Sequence, residues 1–393
     1  MTAFARGERL PRFWKVSICG KIKQMKTAKT SPLSIVDALT QGLGAVVARP
    51  WLIAIPAAID LTLWLGPRLT INSLVQRFLV VWEAFFRLGL GANQPAAVDM
   101  VPAVREGMTQ LGQGINLANA ITGSWLSMPS AVATIQSPRL TLISDVVMAP
   151  IGLGVKLKSV APSPWQGPAI EINSFWGALL IVGGLWLCGQ VIAAFFLRAA
   201  RRKPVAVRPD SQEATADPFI PHWRGIGGLL SLSARLAVFS VLLAVVVFTL
   251  YLPLGLAMLI VTSSGSGAAG MMFAVVGGMT LWALMWLLTS LFFVSEAMVL
   301  DGQPFWTSLW SSFRLTRRHA LRAFGLVALI NLILLGFRAV WGLLGQTPIG
   351  AIAAILANAC LVTAMLLAVY AFYADLRRRD ADKTEKPRIN NGQ

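Results

Sequence analysis

Long apolar runs separated by short polar segments are the main pattern of this 393-residue chain. An apolar run of about 20 residues is long enough to cross the hydrocarbon core of a membrane as an α-helix. The pattern predicts six such spans, with the boundaries 50–67, 175–198, 228–262, 267–294, 323–345 and 347–373. We therefore expect an all-α membrane protein with six transmembrane helices.

The segment 228–262 is too long for one span that crosses the membrane directly. As a continuous helix it would measure about 52 Å, whereas the hydrocarbon core is about 30 Å thick. We expect it to divide into an interfacial piece around Arg235 and a span that starts at Ala237, with a kink at Pro253.

Two further segments, 34–49 and 301–322, have apolar residues at helical spacing but are too polar to span. In the second segment Phe305, Trp306, Leu309, Trp310 and Phe313 form one apolar face. Such segments are typical of amphipathic helices that lie in the membrane plane. The sequence predicts both on the cytoplasmic side.

Basic residues lie at alternate ends of the predicted spans. Eight Lys or Arg precede residue 32, six lie in 198–226, four in 301–323 and six after 373, whereas the turns 263–267 and 345–347 contain none. Lys and Arg accumulate in cytoplasmic loops. We therefore expect cytoplasmic tails at 1–33 and 374–393, a cytoplasmic linker at 199–227, and an exoplasmic region at 68–174.

Composition supports this placement. Charged residues make up 13% of the chain, against about 25% in soluble proteins, and 56% are hydrophobic. The net charge of +17 invites a nucleic-acid function, but the basic residues flank apolar runs and form no folded basic domain. We expect no nucleic-acid partner. The expected location is a cellular membrane, with the basic flanks on its cytoplasmic side.

The N-terminal segment has no apolar core before residue 33, so no cleavable signal peptide is expected. Translation from either Met1 or Met25 is compatible with the sequence. The three cysteines cannot form a framework of disulfide bridges.

One region is similar to a recurrent stretch in bacterial membrane proteins. Ser295-Glu296 and Asp301-Gly302 are followed by Ser308, Ser312, Leu315-Thr316 and Arg317, and the first span begins with Arg49-Pro50-Trp51. This resembles the membrane domain attached to some glycerophosphodiester phosphodiesterases, together with many uncharacterised relatives. The resemblance implies a six-helix membrane module. The phosphodiesterase activity is not implied, because this chain has no room for the soluble catalytic barrel.

No catalytic or metal-binding pattern stands out. Neither His222 nor His319 has a partner at metal-ligand spacing, and no close pair of carboxylates indicates acid–base catalysis. The glycine-rich turn 265–270 matches a dinucleotide pattern but has no preceding strand. We expect no enzyme activity, no metal and no cofactor.

Three polar residues fall deep within predicted spans: Asp60, Arg338 and Asn358. A charge at such depth costs at least about 2.5 kcal/mol unless it finds a partner or water. We hypothesise that they form a buried polar layer in which Asp60 approaches Arg338. A structural ion pair, or two side chains that reach separately for opposite interfaces, is the alternative.

The leading hypothesis is a non-enzymatic membrane module that organises lipids or partner proteins. Its basic face would bind anionic lipid headgroups, and a protein partner stays unidentified. The candidate headgroup contacts are Arg49, Arg201, Arg202, Arg314, Arg317 and Arg318. The alternative is a small transporter or permease subunit that uses the polar layer.

Overall fold

Helices make up most of the computed structural model, which describes residues 33–89, 101–102, 105–106, 108–109, 116–122, 169–201, 225–264 and 267–389. The chain separates after Ser34 into a short N-terminal unit and a second unit of residues 35–393. All elements named below belong to the second unit, and they confirm the all-α class.

The described elements follow each other along the chain with two short strands among the helices. They are α1 (Ile35–Ala48), a 3₁₀ helix (Pro50–Ile53), α2 (Ala54–Leu65), β1 (Leu69–Thr70), α3 (Asn72–Gly89), a second 3₁₀ helix (Leu117–Thr122), β2 (Ile170–Glu171), α4 (Phe175–Arg201), α5 (Ile226–Ser264), α6 (Gly267–Leu291), α7 (Val294–Leu300), α8 (Phe305–Arg318), α9 (Ala320–Leu344) and α10 (Pro348–Ile389).

Four described stretches are long and apolar enough to cross a membrane: Phe175–Arg201, Ile226–Val246, Val275–Leu300 and Pro348–Ala381. A fifth is present if α1 and the Pro50–Leu65 stretch count as one broken span, because the two meet at 96°. Helix α9 contributes a shorter apolar stretch, Ala320–Leu334. A protein with four to five long apolar helices is a membrane protein.

Many side chains on the outer faces of these helices are large, apolar and exposed. Examples on four different helices are Leu180, Val241, Trp282 and Leu343. A soluble helix hides such residues against a core, whereas a helix that is apolar all round belongs in lipid. The exposed apolar surface therefore faces the membrane.

The segment 228–262 lies within one helix, since α5 runs without interruption from Ile226 to Ser264. The candidate span Ile226–Val246 includes Arg235. The Arg235 Nη1 donates a hydrogen bond to the Gln303 carbonyl oxygen, at 2.9 Å. The division into an interfacial piece and a span stays a prediction.

The last helix is also longer than its predicted span. Helix α10 continues past residue 373, the predicted end, as far as Ile389. Much of the predicted tail 374–393 is thus the charged continuation of one helix.

Helix α1 packs closely against α10. Its buried face consists of Ala38, Gly42 and Val46, which recur every four residues. A Cβ atom added to Gly42 would meet the carbonyl oxygen of Ala364 and the side chain of Ala368. Small residues on both helices bring the two backbones together.

The bundle has one end rich in ion pairs, which we call the basic end. There Arg377 binds Asp301 and Arg318 binds Asp380, both with nitrogen–oxygen distances of 2.9 Å. The C-terminal end of α4 contacts α10 near the basic end. There the Tyr370 hydroxyl of α10 donates a hydrogen bond to the Leu197 carbonyl oxygen of α4, at 3.4 Å.

At the opposite end, the two limits of the region 68–174 meet. β1 pairs with β2 in parallel, and Leu69 lies opposite Ile170. The backbone N–H of Ser73 donates to Glu171 Oε1 at 2.8 Å, which places a carboxylate at the N-terminus of α3. Helix α3 therefore starts beside this strand pair and continues to Gly89.

Candidate functional site

Asp60 and Asn358, two members of the predicted polar layer, are both buried. Asp60 on α2 is 2% exposed and Asn358 on α10 is 6% exposed. Their helices pack against each other. Arg338 belongs to α9, but its side chain lies outside the described residues, so the proposed approach of Asp60 to Arg338 stays a hypothesis.

Gln190 is a third buried polar residue, and the sequence interpretation missed it. It lies on α4, is 1% exposed, and its Nε2 donates to Ser240 Oγ of α5 at 3.4 Å. The available signal was an amide inside the otherwise apolar run 175–198. Such an amide is costly in lipid unless a neighbouring helix supplies a partner.

The Leu117–Thr122 3₁₀ helix packs against the middle of α4. A Cβ atom on Gly189 would overlap the carbonyl oxygen of Ile121, so the two backbones touch there. Asn116 holds the start of this helix, because its Oδ1 accepts hydrogen bonds from the N–H groups of Leu69 and Ala118, both at 3.1 Å.

This contact brings backbone from the region 68–174 deep into the bundle. Gly189 lies twelve residues before Arg201, the end of α4, which corresponds to about 18 Å of helix. Backbone other than α-helix occurs at membrane depth only where protein covers it or where it lines a water-filled cavity. The exoplasmic placement of the region 68–174 stays a prediction.

Each of the three buried polar residues lies well inside its helix or helical stretch. Gln190 is eleven residues before Arg201 and Asn358 is ten residues after Pro348, about 17 Å and 15 Å of helix. Asp60 is eleven residues after Arg49, with the 3₁₀ helix Pro50–Ile53 between them. Residue counting therefore predicts similar levels for the three residues, and a polar layer at that level stays a hypothesis.

A second polar cluster occupies the basic end. Asp301 Oδ2 accepts a hydrogen bond from the Tyr373 hydroxyl at 2.7 Å and forms an ion pair with Arg377 at 2.9 Å. Gln303 Nε2 also reaches this oxygen, at 3.3 Å. Gly302 has a φ of 66°, the left-handed conformation that ends α7 and turns the chain towards α8.

Glu296, one turn deeper, is a buried carboxyl group. It is 4% exposed, and the Ser295 hydroxyl donates to its Oε2 at 2.9 Å. Together with Asp301 and Gly302 it belongs to the stretch that carries the family resemblance. In this structure, the acidic residues and the glycine of that stretch shape the corner between α7 and α8.

The serines of the same stretch pack α8 against its neighbours. Ser308 and Ser312 are fully buried, Thr316 is nearly so, and the Ser312 hydroxyl donates to the Ser290 carbonyl oxygen of α6 at 2.8 Å. Residues at i, i+4 and i+8 share one helix face. The spacing of these serines therefore encodes helix packing.

The opposite face of α8 is exposed. Trp306 is 71% exposed and Trp310 is 61% exposed. Arg314 and Arg317 follow on the exposed part of the helix. The helix thus buries small hydroxyl side chains and presents tryptophan and arginine to its surroundings.

The six predicted headgroup contacts fall into different settings. Arg314 and Arg317 are exposed, Arg49 and Arg201 are half-buried, and Arg202 lies outside the described residues. Arg318 is bound to Asp380. An arginine held by a carboxylate is less available for a phosphate, which favours Arg314 and Arg317 as headgroup contacts.

The remaining candidates for chemistry are few. His319 ends α8, and its Nε2 lies 3.5 Å from Asp380 Oδ1, whereas His222 lies outside the described residues. Within the described part of the chain, no three His, Cys, Asp or Glu side chains converge in a metal-binding group.

No family model, no curated protein and no solved structure matches this chain. The resemblance to the membrane domain of the phosphodiesterases therefore stays a prediction that rests on the quoted residues.

Proposed function

We propose that the chain is a six-span protein of the bacterial cytoplasmic membrane, with both termini and the basic end on the cytoplasmic side. The apolar helices α4, α5, α6, α9 and α10, together with the stretch Pro50–Leu65, provide the spans, and α1 meets that stretch at 96°. The ion pairs and exposed arginines collect at one end of these helices, in agreement with the enrichment of Lys and Arg in cytoplasmic segments. Helices α1 and α8 lie in the membrane plane.

We propose that this protein is a non-enzymatic module whose basic end binds anionic lipid headgroups and thereby organises lipids or a protein partner. The observation that carries the proposal is the exposed face of α8. Trp306 and Trp310 protrude from the helix, and Arg314 and Arg317 continue the exposed surface.

This combination of side chains fits the membrane interface. Tryptophan prefers the level of the headgroups, where its ring is in an apolar environment and its N–H is hydrated. Each arginine near an anionic surface contributes about 1 kcal/mol of attraction. Two arginines therefore favour an anionic headgroup by about 2 kcal/mol, roughly thirty-fold in affinity.

Lipid retention tests this proposal. The double variant Arg314→Gln/Arg317→Gln and the control Arg378→Gln are purified in mild detergent and exposed to equal amounts of phosphatidylglycerol and phosphatidylethanolamine. Arg378 is exposed at the same end but belongs to α10, a different helix from the one that carries the tryptophans. Native mass spectrometry should show that the wild type and the control retain phosphatidylglycerol preferentially. The double variant should lose that preference, and equal retention by all three proteins would refute the proposal.

A transporter is the second candidate, and the polar layer favours it. Asp60, Gln190 and Asn358 are buried and fall at similar levels by residue count, and the Leu117–Thr122 helix contacts Gly189, next to Gln190. A transporter needs water at this depth, whereas a lipid organiser can be dry there.

Cysteine labelling separates the two candidates. In a chain without native cysteines, Leu361→Cys places a thiol one turn from Asn358 on a half-buried position of α10. Leu356→Cys, the control, lies at a similar depth but is 48% exposed on the lipid-facing side. A charged, membrane-impermeant thiol reagent should modify only the first variant if a water-filled path exists. If neither variant reacts, the transporter candidate fails.

A further inference from the structure

Asn331 is an exposed amide in the middle of an apolar helix. It lies eleven residues after Ala320, about 17 Å along α9, which has 25 residues. The side chain is exposed, and its Nδ2 donates to the Val327 carbonyl oxygen four residues earlier, at 2.8 Å. The Val327 carbonyl oxygen already accepts a backbone hydrogen bond within the helix. The Oδ1 of Asn331 and the second N–H of its amide therefore remain available.

Asn331 is the only exposed amide among the described side chains on the interior turns of the long helices. On the interior turns of α4, α5, α6, α9 and α10, the exposed side chains that the structure describes are otherwise apolar, small or hydroxyl-bearing. An amide that faces hydrocarbon is unfavourable, and transmembrane helices resolve it by hydrogen bonding to another helix. The position of Asn331 therefore points to a helix outside the described bundle.

The neighbours of Asn331 form a regular seam. Leu321, Phe324, Ala328 and Asn331 are spaced by three, four and three residues, and all four are exposed. This spacing is the heptad pattern by which two helices pack along each other. The bundle-facing residues Ala323, Leu326 and Ile330 lie on a different side of α9, so the described part of the chain does not use the seam.

We propose that two copies of this chain associate through this α9 seam, with Asn331 of one copy hydrogen-bonded to Asn331 of the other. An asparagine side chain both donates and accepts, so two copies related by a twofold axis satisfy each other. Copies with the same orientation in one membrane place their α9 helices in parallel, which brings the two asparagines to the same depth. A single asparagine in such a seam also fixes the register and the number of helices.

Disulfide cross-linking in native membranes tests the proposal. In full-length chains without the native cysteines, Asn331→Cys places the thiols at the proposed axis. The control Leu332→Cys lies at the same depth and is 65% exposed, but about 100° around the helix. Mild oxidation should convert Asn331→Cys into a dimer and leave most of Leu332→Cys monomeric. If both variants accept a thiol label but neither forms a dimer, another occupant covers the seam and the proposal is wrong.

A second measurement does not depend on cysteine chemistry. The dimer fraction in lipid bilayers, counted by single-molecule photobleaching, should fall for Asn331→Leu, with a dissociation constant raised about five-fold. Asn331→Gln keeps an amide and should restore most of the association. Since leucine suits a lipid-facing position, the variant should fold normally, which its melting temperature verifies. An unchanged dimer fraction for Asn331→Leu would overturn the proposal.

Discussion

Replacement of Gly42 by alanine is the most direct test of how α1 is attached to the bundle. Gly42 lies in the centre of the face that α1 turns towards α10. A Cβ atom at this position would lie 2.8 Å from both the backbone nitrogen and the Cβ of Ala368, and it would overlap the carbonyl oxygen of Ala364. Because two of these atoms belong to the backbone, a side-chain rotation cannot relieve the overlap.

The cost follows from the separation that the new methyl group needs. Carbon atoms in contact are about 3.5–4.0 Å apart, so α1 and α10 must move apart by about 1 Å. Overpacking of this kind lowers the free energy of unfolding by about 1–3 kcal/mol. Gly44 offers a matched control on the same helix, since no atom lies within 4 Å of its added Cβ. There alanine should raise stability by up to about 1 kcal/mol, because glycine is the poorer helix former.

Unfolding by a denaturing detergent in mixed micelles, followed by tryptophan fluorescence, measures both variants against the wild type. We expect Gly42→Ala to unfold at a lower detergent fraction than the wild type, and Gly44→Ala at an equal or higher one. If both substitutions leave stability unchanged or raise it, then α1 does not pack on α10 at this position, and its close placement against the bundle is incorrect.

Two further substitutions test the basic end. Asp301→Asn should lower the free energy of unfolding by about 1–3 kcal/mol, because Tyr373 and an arginine bind its carboxylate. The control Asp375→Asn removes a partly exposed ion pair within one helix and should cost about 0.5 kcal/mol or less in the same assay, so equal losses would contradict the role given to Asp301. Ser312→Val should remove a hydrogen bond to α6 and overfill a fully buried site, which loosens α8 and lowers the melting temperature. Ser311→Val, at a half-buried position beside it, should have a smaller effect, and the reverse order would show that the other face of α8 is the packed one.

Local periodicity was sufficient to locate several helices. The segment 34–49 was predicted as an amphipathic helix and is observed as Ile35–Ala48, and the predicted span 175–198 corresponds to Phe175–Arg201. These boundaries follow from signals within a few residues, such as the proline after Arg49 and the arginines that end α4.

Contacts between distant parts of the chain were not predictable in this way. Nothing near Gly189 in the sequence indicates that Ile121 packs on it, because the partner comes from a separate region with weak patterning. The hydrogen bond from Arg235 to the Gln303 carbonyl oxygen, 68 residues away, is likewise a contact that no local pattern indicates.

The sequence pattern alone did not indicate which face of α8 packs inward. Apolar periodicity identified the aromatic residues as one face, and the structure shows that the serine face is the buried one. In lipid the hydrophobic effect does not distinguish the two faces, whereas small residues allow close packing. Where lipid is the surrounding solvent, small and hydroxyl side chains are the better indicators of helix contacts.

The unbroken length of α10 has a mechanical consequence. The helix comprises 42 residues, about 63 Å, and Ala368 at the contact with Gly42 divides it into two nearly equal arms of about 30 Å. Contacts hold the rod on both sides of this point, because Ala351 and Ile355 are buried in the core and Arg377 and Asp380 form ion pairs at the basic end. Force applied to the charged tip near Ile389 would therefore act first on α7 and α8, through these ion pairs, before it reached Pro348.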